Sequence, residues 1–319
     1  VIHLARARFA AYGHRMNAPT TLSGDSPRGL MLAVATYVIW GFLPLFMKQL
    51  AHVPPSEVIA HRVLWSLPIA LAVLLWQGRW ADVGAALRRP RLLAMAIVTA
   101  ALISVNWMIY VWAVGNNHAL DAALGYYINP LFSVALGATL LHERLSRAQV
   151  AAIVLAALAV VVLTVQLGRL PMVAIGLTLT WGIYALCKKS LPLGPTQGFT
   201  LEVLILTPFA LAFVIWLSAT GQSHFAAGNA WDTILLIGCG PVTAIPLICY
   251  AMAAKQLRLT TIGILQYIAP TMIFVTAVLI FGEPFGAAQM IAFPMIWAGV
   301  IIYSLSLLRT TGARRRAAQ

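Results

Sequence analysis

Charge is scarce in this chain. Charged residues make up 9% of 319, and only 8 are acidic, where a soluble globular domain carries about 25%. An ordinary soluble fold is excluded. Cysteine is nearly absent too. Cys187, Cys239 and Cys249 are odd in number, lie in or beside apolar runs and form no C-x-x-C, which argues against a disulfide framework or a zinc site. The chain also lacks a P-loop, an H-E-x-x-H and a G-x-S-x-G. Those absences count against an ATP-driven pump or a membrane hydrolase, and no cofactor or metal is expected. The N-terminal stretch has no apolar h-region, so it does not read as a signal peptide. Two readings of it stay open: residues 1–15 precede a true start at Met16, or 1–28 is one disordered basic tail.

What the chain has is apolar sequence, 61% of it. A hydrocarbon core about 30 Å thick needs roughly 20 helical residues, at about 1.5 Å each. Ten runs meet that rule, near 29–47, 58–77, 92–114, 122–141, 148–167, 171–187, 198–218, 232–253, 262–281 and 287–308. Little but turns and tails remains, so the fold class is an all-α polytopic membrane protein with no separate soluble domain. The net charge of +13 reports orientation. All of the Lys and Arg except Lys48, Arg62 and Arg169 fall in the two tails or in alternate loops on one side. Short basic loops stay in the cytoplasm, which puts both termini there. A nucleic-acid partner is not implied; the expected partners are the lipid bilayer and a small-molecule substrate, with a homodimer left open.

A repeat spans the chain. "YYINPLFSVALGATLLHERLSRAQV" (126–150) aligns with "QYIAPTMIFVTAVLIFGEPFGAAQM" (266–290) at an offset of 140, and "WGFLPLFMKQL" (40–50) aligns with "WGIYALCKKSL" (181–191) at 141. The two units, 29–167 and 171–308, lie between tails 1–28 and 309–319. Each holds five spans, an odd number, so the second is inverted relative to the first. Inverted repeats build the alternating-access core of many secondary transporters, with the substrate near the midplane. A passive channel or facilitator is the runner-up, and a membrane enzyme the third reading. Glu143 and Glu283 do not support the third, because the topology puts them on opposite sides of the membrane. Each is read instead as facing the dipole of the helix that follows it, and Asp121 and Thr261 as N-caps of spans four and nine.

Trp-Gly in the first span, an arginine in the second and "LLHERLSRAQ" after the fourth resemble the drug/metabolite transporter superfamily, in its EamA group. Within it, "YVIWGFLPLF", "EVIAHRVLWS", "NWMIYVWAVGNNHALDAALGYYINP" and "HERL" look like the RarD family, over roughly residues 27–308. The resemblance implies ten helices in two inverted five-helix repeats, a central cavity and transport of small metabolites or drugs across the bacterial inner membrane. A secondary transporter is the leading reading, with export the expected direction. The motif is looser in the second half, where "GEPF" stands in its place.

Polar residues inside spans are costly and mark a cavity. Asn106 and Tyr110 share one face of span three; Tyr126, Asn129 and Ser133 share one of span four, whose equivalents are Gln266, Ala269 and Ile273. Trp181, Tyr184 and Lys188 align on span six, and Tyr250 is the repeat partner of Tyr110. The expected substrate-binding set is therefore Arg62, Asn106, Tyr110, Tyr126, Asn129, Tyr184, Tyr250 and Gln266. Plainer readings compete. Tyr37 and Trp181 suit interfacial anchors. Ser133-x3-Gly137 and Ala152-x3-Ala156 suit helix packing. Glu202 suits a helix end near water. Asn106 and Asn129 suit either cavity lining or a hydrogen bond between helices. His61 lies about 100° around the helix from Arg62, so both do not face one cavity. Arg62 itself is read as cavity-facing, against snorkelling to the interface. Its match at offset 141 is Val203.

Overall fold

The computed structural model describes residues 25–140, 145–254, 256–257 and 259–316, and every regular element in them is helical. They are α1 Pro27–Gln49, α2 Pro55–Trp76, α3 Trp80–Leu87, α4 Pro90–Gly115, α5 Ala119–Leu140 and α6 Arg147–Leu167 in the first half. The second half has α7 Met172–Ser190, α8 Pro195–Ala219, α9 Ala230–Ala254, α10 Leu259–Leu265, α11 Ile268–Val275 and α12 Ala287–Arg316. Eight segments are long and apolar enough to cross a membrane, and Met172–Lys188 is a shorter apolar helix. With the 22 residues of α5, these stand where the ten spans were expected.

Local signals place the ends. Proline opens α1, α2, α4 and α8 at a position whose N–H would be unsatisfied anyway. Ser146 and Gln149 form a capping box at the start of α6, and left-handed Gly168 closes it. Two features were not foreseen. The loop after α2 contains α3, whose Val83 and Ala86 are buried beside Leu74, Ala96 and Leu201. The ninth span is broken: α10 stops at Leu265, α11 starts at Ile268, and a π-helical turn, Thr276–Ile280, follows. Pro270 lacks the N–H that would bond back to Gln266, which weakens the ladder at the break without being sufficient for it. Its match, Pro130, sits inside unbroken α5.

The two halves interdigitate. α1 packs on α9 as α4 packs on α7; α2 packs on α9 as α4 packs on α8; α5 packs on α7 as α1 packs on α11. Three pairs, α2–α8, α5–α11 and α6–α12, map onto themselves when the halves are exchanged. This is the contact pattern of a two-fold relation. It holds for side chains too. Glu57, in the first turn of α2, binds Ser223 and His224 in the loop after α8. Gln197, in the first turn of α8, meets Arg79 after α2, its amide oxygen accepting from the Arg79 guanidinium.

Lipid tails give helices no hydrophobic reason to associate, so close packing and crossing hydrogen bonds hold them. Outward side chains such as Phe42, Phe209 and Leu279 are apolar and exposed. Between halves, Thr178 donates to the Gly125 carbonyl at 3.1 Å, Thr36 to that of Pro246 at 3.3 Å, and Tyr127 pairs with Thr271 at 2.8 Å. Gly240 of α9 lies directly on the Trp65 backbone of α2, where a Cβ would collide. The Ala152/Ala156 packing expectation holds: both are buried in one cluster with Leu131.

Several local expectations need correction. Glu283 does not serve the helix that follows it. Its two oxygens accept the Ala119 and Leu120 N–H groups at 2.8 Å each, so it caps α5 of the other half. Asp121 and Thr261 lie inside the first turns of α5 and α10, at the third residue, so neither is an N-cap. Asp121 meets His118 at 3.1 Å and Thr261 donates to Asp25 at 2.7 Å. Ser133 is exposed, so it joins neither the Tyr126/Asn129 stripe nor a buried helix seam. Glu143, Met16, residues 1–15 and the tip of the C-terminal tail lie outside the described residues.

Candidate functional site

A cavity of about 140 Å³ lies where the halves meet. Tyr37, Trp40 and Leu43 reach it from α1, Arg62 from α2, and Ile103, Asn106, Trp107 and Tyr110 from α4. Tyr126 and Asn129 come from α5, Trp181 and Tyr184 from α7, Phe199 from α8, and Thr243 and Leu247 from α9. The broken ninth span adds Gln266, Ala269, Pro270 and Ile273. Discontinuous helices are a recurring feature beside transporter substrate sites.

Arg62 is 3% exposed. Its Nε donates to Thr243 Oγ1 at 3.0 Å, and the guanidinium lies over the Trp107 ring, 4.5 Å from its centre. Snorkelling does not describe this geometry. Thr243 can accept because its own proton goes to the Cys239 carbonyl, 2.7 Å away. Asn106 does both things weighed for it: it lines the cavity, and its amide donates to Leu177 O and Thr180 Oγ1 across the halves. Asn129 Oδ1, by contrast, has no partner among the described residues. The Tyr110 and Tyr126 rings meet at 5.8 Å.

Of the eight expected residues, the cavity gathers all but Tyr250, which stands one layer out against Tyr37 and Trp40. Tyr37 and Trp181 line the cavity and are not interfacial anchors; Tyr37 is 4% exposed. His61 faces elsewhere, accepting from Trp65 and packing on Phe225 at 4.8 Å.

The expectation for Glu202 also fails. It is buried, and Lys188 meets it at 2.6 Å while Tyr184 donates to it at 3.2 Å. Lys188 thus turns inward, although the sequence sorts it with a loop. Its partner position was missed for a simple reason. α2 and α8 both start at proline, Pro55 and Pro195, and both carry an inner one, Pro68 and Pro208. These match at 140, because the turn before α8 is one residue shorter than the turn before α2. Arg62 therefore corresponds to Glu202, not Val203. The two buried charges are repeat partners of opposite sign.

Fold and site together define a polytopic membrane protein with a small internal cavity built by both of its halves. The comparisons with known proteins name the class further. The EamA-like transporter family model matches twice, over residues 27–165 and 170–305. An uncharacterised transporter of Vibrio cholerae is 42% identical over 92% of this chain and 97% of its own. Protein RarD of Streptomyces exfoliatus is 41% identical over 91% of this chain and 92% of its own. A solved crystal structure is similar with a TM-score of 0.57, over 88% of this chain and 97% of that one, at 19% identity; it bears on the fold alone. The chain belongs to the EamA-like transporter family.

Proposed function

We propose that the protein is a secondary transporter that exports a small organic solute across the inner membrane by alternating access. The observation that carries this reading is the cavity's position. Both halves line it, which puts it at the kind of repeat interface where alternating access opens a site to one face and then the other. The contacts that close it are of a kind that can break and reform. At the end holding the α1–α2 loop these are Glu57 with His224, and His52 with Asp232 at 3.1 Å. At the end holding the termini they are Ser26 with Gln256 at 2.9 Å and Thr261 with Asp25. Units 29–167 and 171–308 are the two inverted repeats, and Arg62, Asn106, Tyr110, Tyr126, Asn129, Tyr184 and Gln266 contact the solute. Tyr250 supports that wall from behind.

Counterflow and pH-jump uptake in proteoliposomes test the mechanism. A transporter exchanges solute faster than it releases it and accumulates against a gradient; a facilitator only equilibrates. For topology, reporters fused after Gly84 and Lys189 should be cytoplasmic and those after His118 and Ser223 periplasmic. The same compartment for Gly84 and His118 would remove the inversion.

A further inference from the structure

Three buried side-chain atoms around the cavity have no hydrogen-bond partner among the described residues: Arg62 Nη1, Tyr110 Oη and Asn129 Oδ1. Among the described residues, Arg62 is also the single charged one in the lining. The buried carboxylates are engaged elsewhere: Glu57 with His224, Glu202 with Lys188, Asp232 with His52, and Glu283 with the start of α5. No described carboxylate is within salt-bridge distance of Arg62. A buried guanidinium without an anion is strongly disfavoured, and among the described residues only the Thr243 hydroxyl and the Trp107 face offset part of that cost.

We infer that the missing counter-charge belongs to the cargo, and that the cavity takes a small organic monocarboxylate whose body is about one ring in size. The assignment rests on the reading of this cavity as the transport site. Arg62 keeps its cation at any physiological pH, and its plane is set by Thr243 on one edge and Trp107 beneath. That leaves Nη1 to donate to a carboxylate oxygen, with the Tyr110 hydroxyl able to donate to the same group. Asn129 Oδ1 accepts from a hydroxyl or N–H on the body. The rest of the wall is aromatic: Trp40, Trp181 and Tyr184 suit a flat apolar body. Size points to a body of about one ring. An apolar cavity of about 150 Å³ holds one benzene, and this one has about 140 Å³. Amines find a repelling cation here and no carboxylate.

Calorimetric titration of the full chain in lipid nanodiscs with three probes of one shape tests this: benzoate, benzamide and benzylamine. Benzoate should bind at least about tenfold more tightly than either of the others, since an analogue that leaves the site's polar groups unpaired is rejected. Arg62→Gln should bring benzoate down to the level of benzamide, and Arg62→Lys should fall between. Should Arg62→Gln fail to fold, Tyr110→Phe carries the same arm and should weaken benzoate more than benzamide. Equal binding of benzoate and benzamide, a preference for benzylamine, or no benzoate binding at millimolar concentration overturns the inference. Benzoate that binds but does not exchange in proteoliposomes would remove the transport reading and leave the anion site standing. Exchange of another solute without benzoate binding would do the reverse.

Discussion

Arg62 and Glu202 occupy the same position in the two repeats and have opposite surroundings. Arg62 faces the cavity with only a threonine and an aromatic face for company. Glu202 is neutralised by Lys188 and tethered by the hydroxyl of Tyr184, itself a residue of the cavity wall. The repeats keep in common what bends and positions the helix, Pro55 with Pro195 and Pro68 with Pro208. They differ in what the helix presents. One copy supplies an open charge, and the other closes its charge internally and serves as wall.

The sharpest way to break this comparison is at Arg62. Arg62→Gln should insert normally, judged by membrane yield and thermal midpoint, and lose nearly all transport in proteoliposomes. Arg62→Lys keeps the charge without the planar fork and should retain a reduced rate. Wild-type transport by a well-inserted Arg62→Gln protein would restore the view that the arginine is structural.

At Glu202 the readout should be stability. Glu202→Gln leaves Lys188 facing a neutral amide, and with Lys188 partly exposed the cost should be about 1–3 kcal/mol, read as a lowered thermal midpoint in detergent. Transport should fall much less than in Arg62→Gln. Equal transport losses at the two positions would mean that the halves share the binding work.

Gly240→Ala tests whether the halves touch as closely as the backbone contact at Trp65 implies. The added methyl should destabilise by about 1–3 kcal/mol, and Gly84→Ala, with open space around it, should not. A comparable effect is expected at Glu283→Gln. The amide oxygen can accept only one of the two N–H groups at the start of α5 and its NH2 leaves the other unpaired, a loss of about 1–3 kcal/mol in the same measurement.

Much of this architecture was legible because its signals are local or repeated. The apolar runs, the N-terminal prolines and the Trp-Gly pairs need no partner to be read. The polar stripes were legible because a polar side chain in a span has few places to go: Asn106, Tyr126 and Asn129 all reach the cavity. Tyr250 misled because it was placed by symmetry with Tyr110, and the cavity does not keep that symmetry. Thr243 gave no signal, since a threonine bonded to its own preceding turn is ordinary in an apolar helix. Glu202 was hidden by a one-residue difference in turn length. The target of Glu283 is a helix more than a hundred residues away in sequence, which no local pattern encodes. The break in the ninth span was hidden because its proline motif also occurs in unbroken α5.

The interdigitation of the halves has a consequence for biogenesis. α1, α2 and α4 find their main neighbours among α7, α8, α9 and α11, all of which leave the ribosome later. When the first five spans are in the bilayer, the faces meant for the second half are still covered by lipid, and Arg62 has Trp107 beneath it but not yet Thr243. The nascent chain must therefore wait in the membrane with its binding charge half-dressed until α9 arrives. Gly168–Leu170 between α6 and α7 is exposed, so a chain divided there is expected to assemble from two halves made in one membrane, which together hold every partner the finished cavity needs.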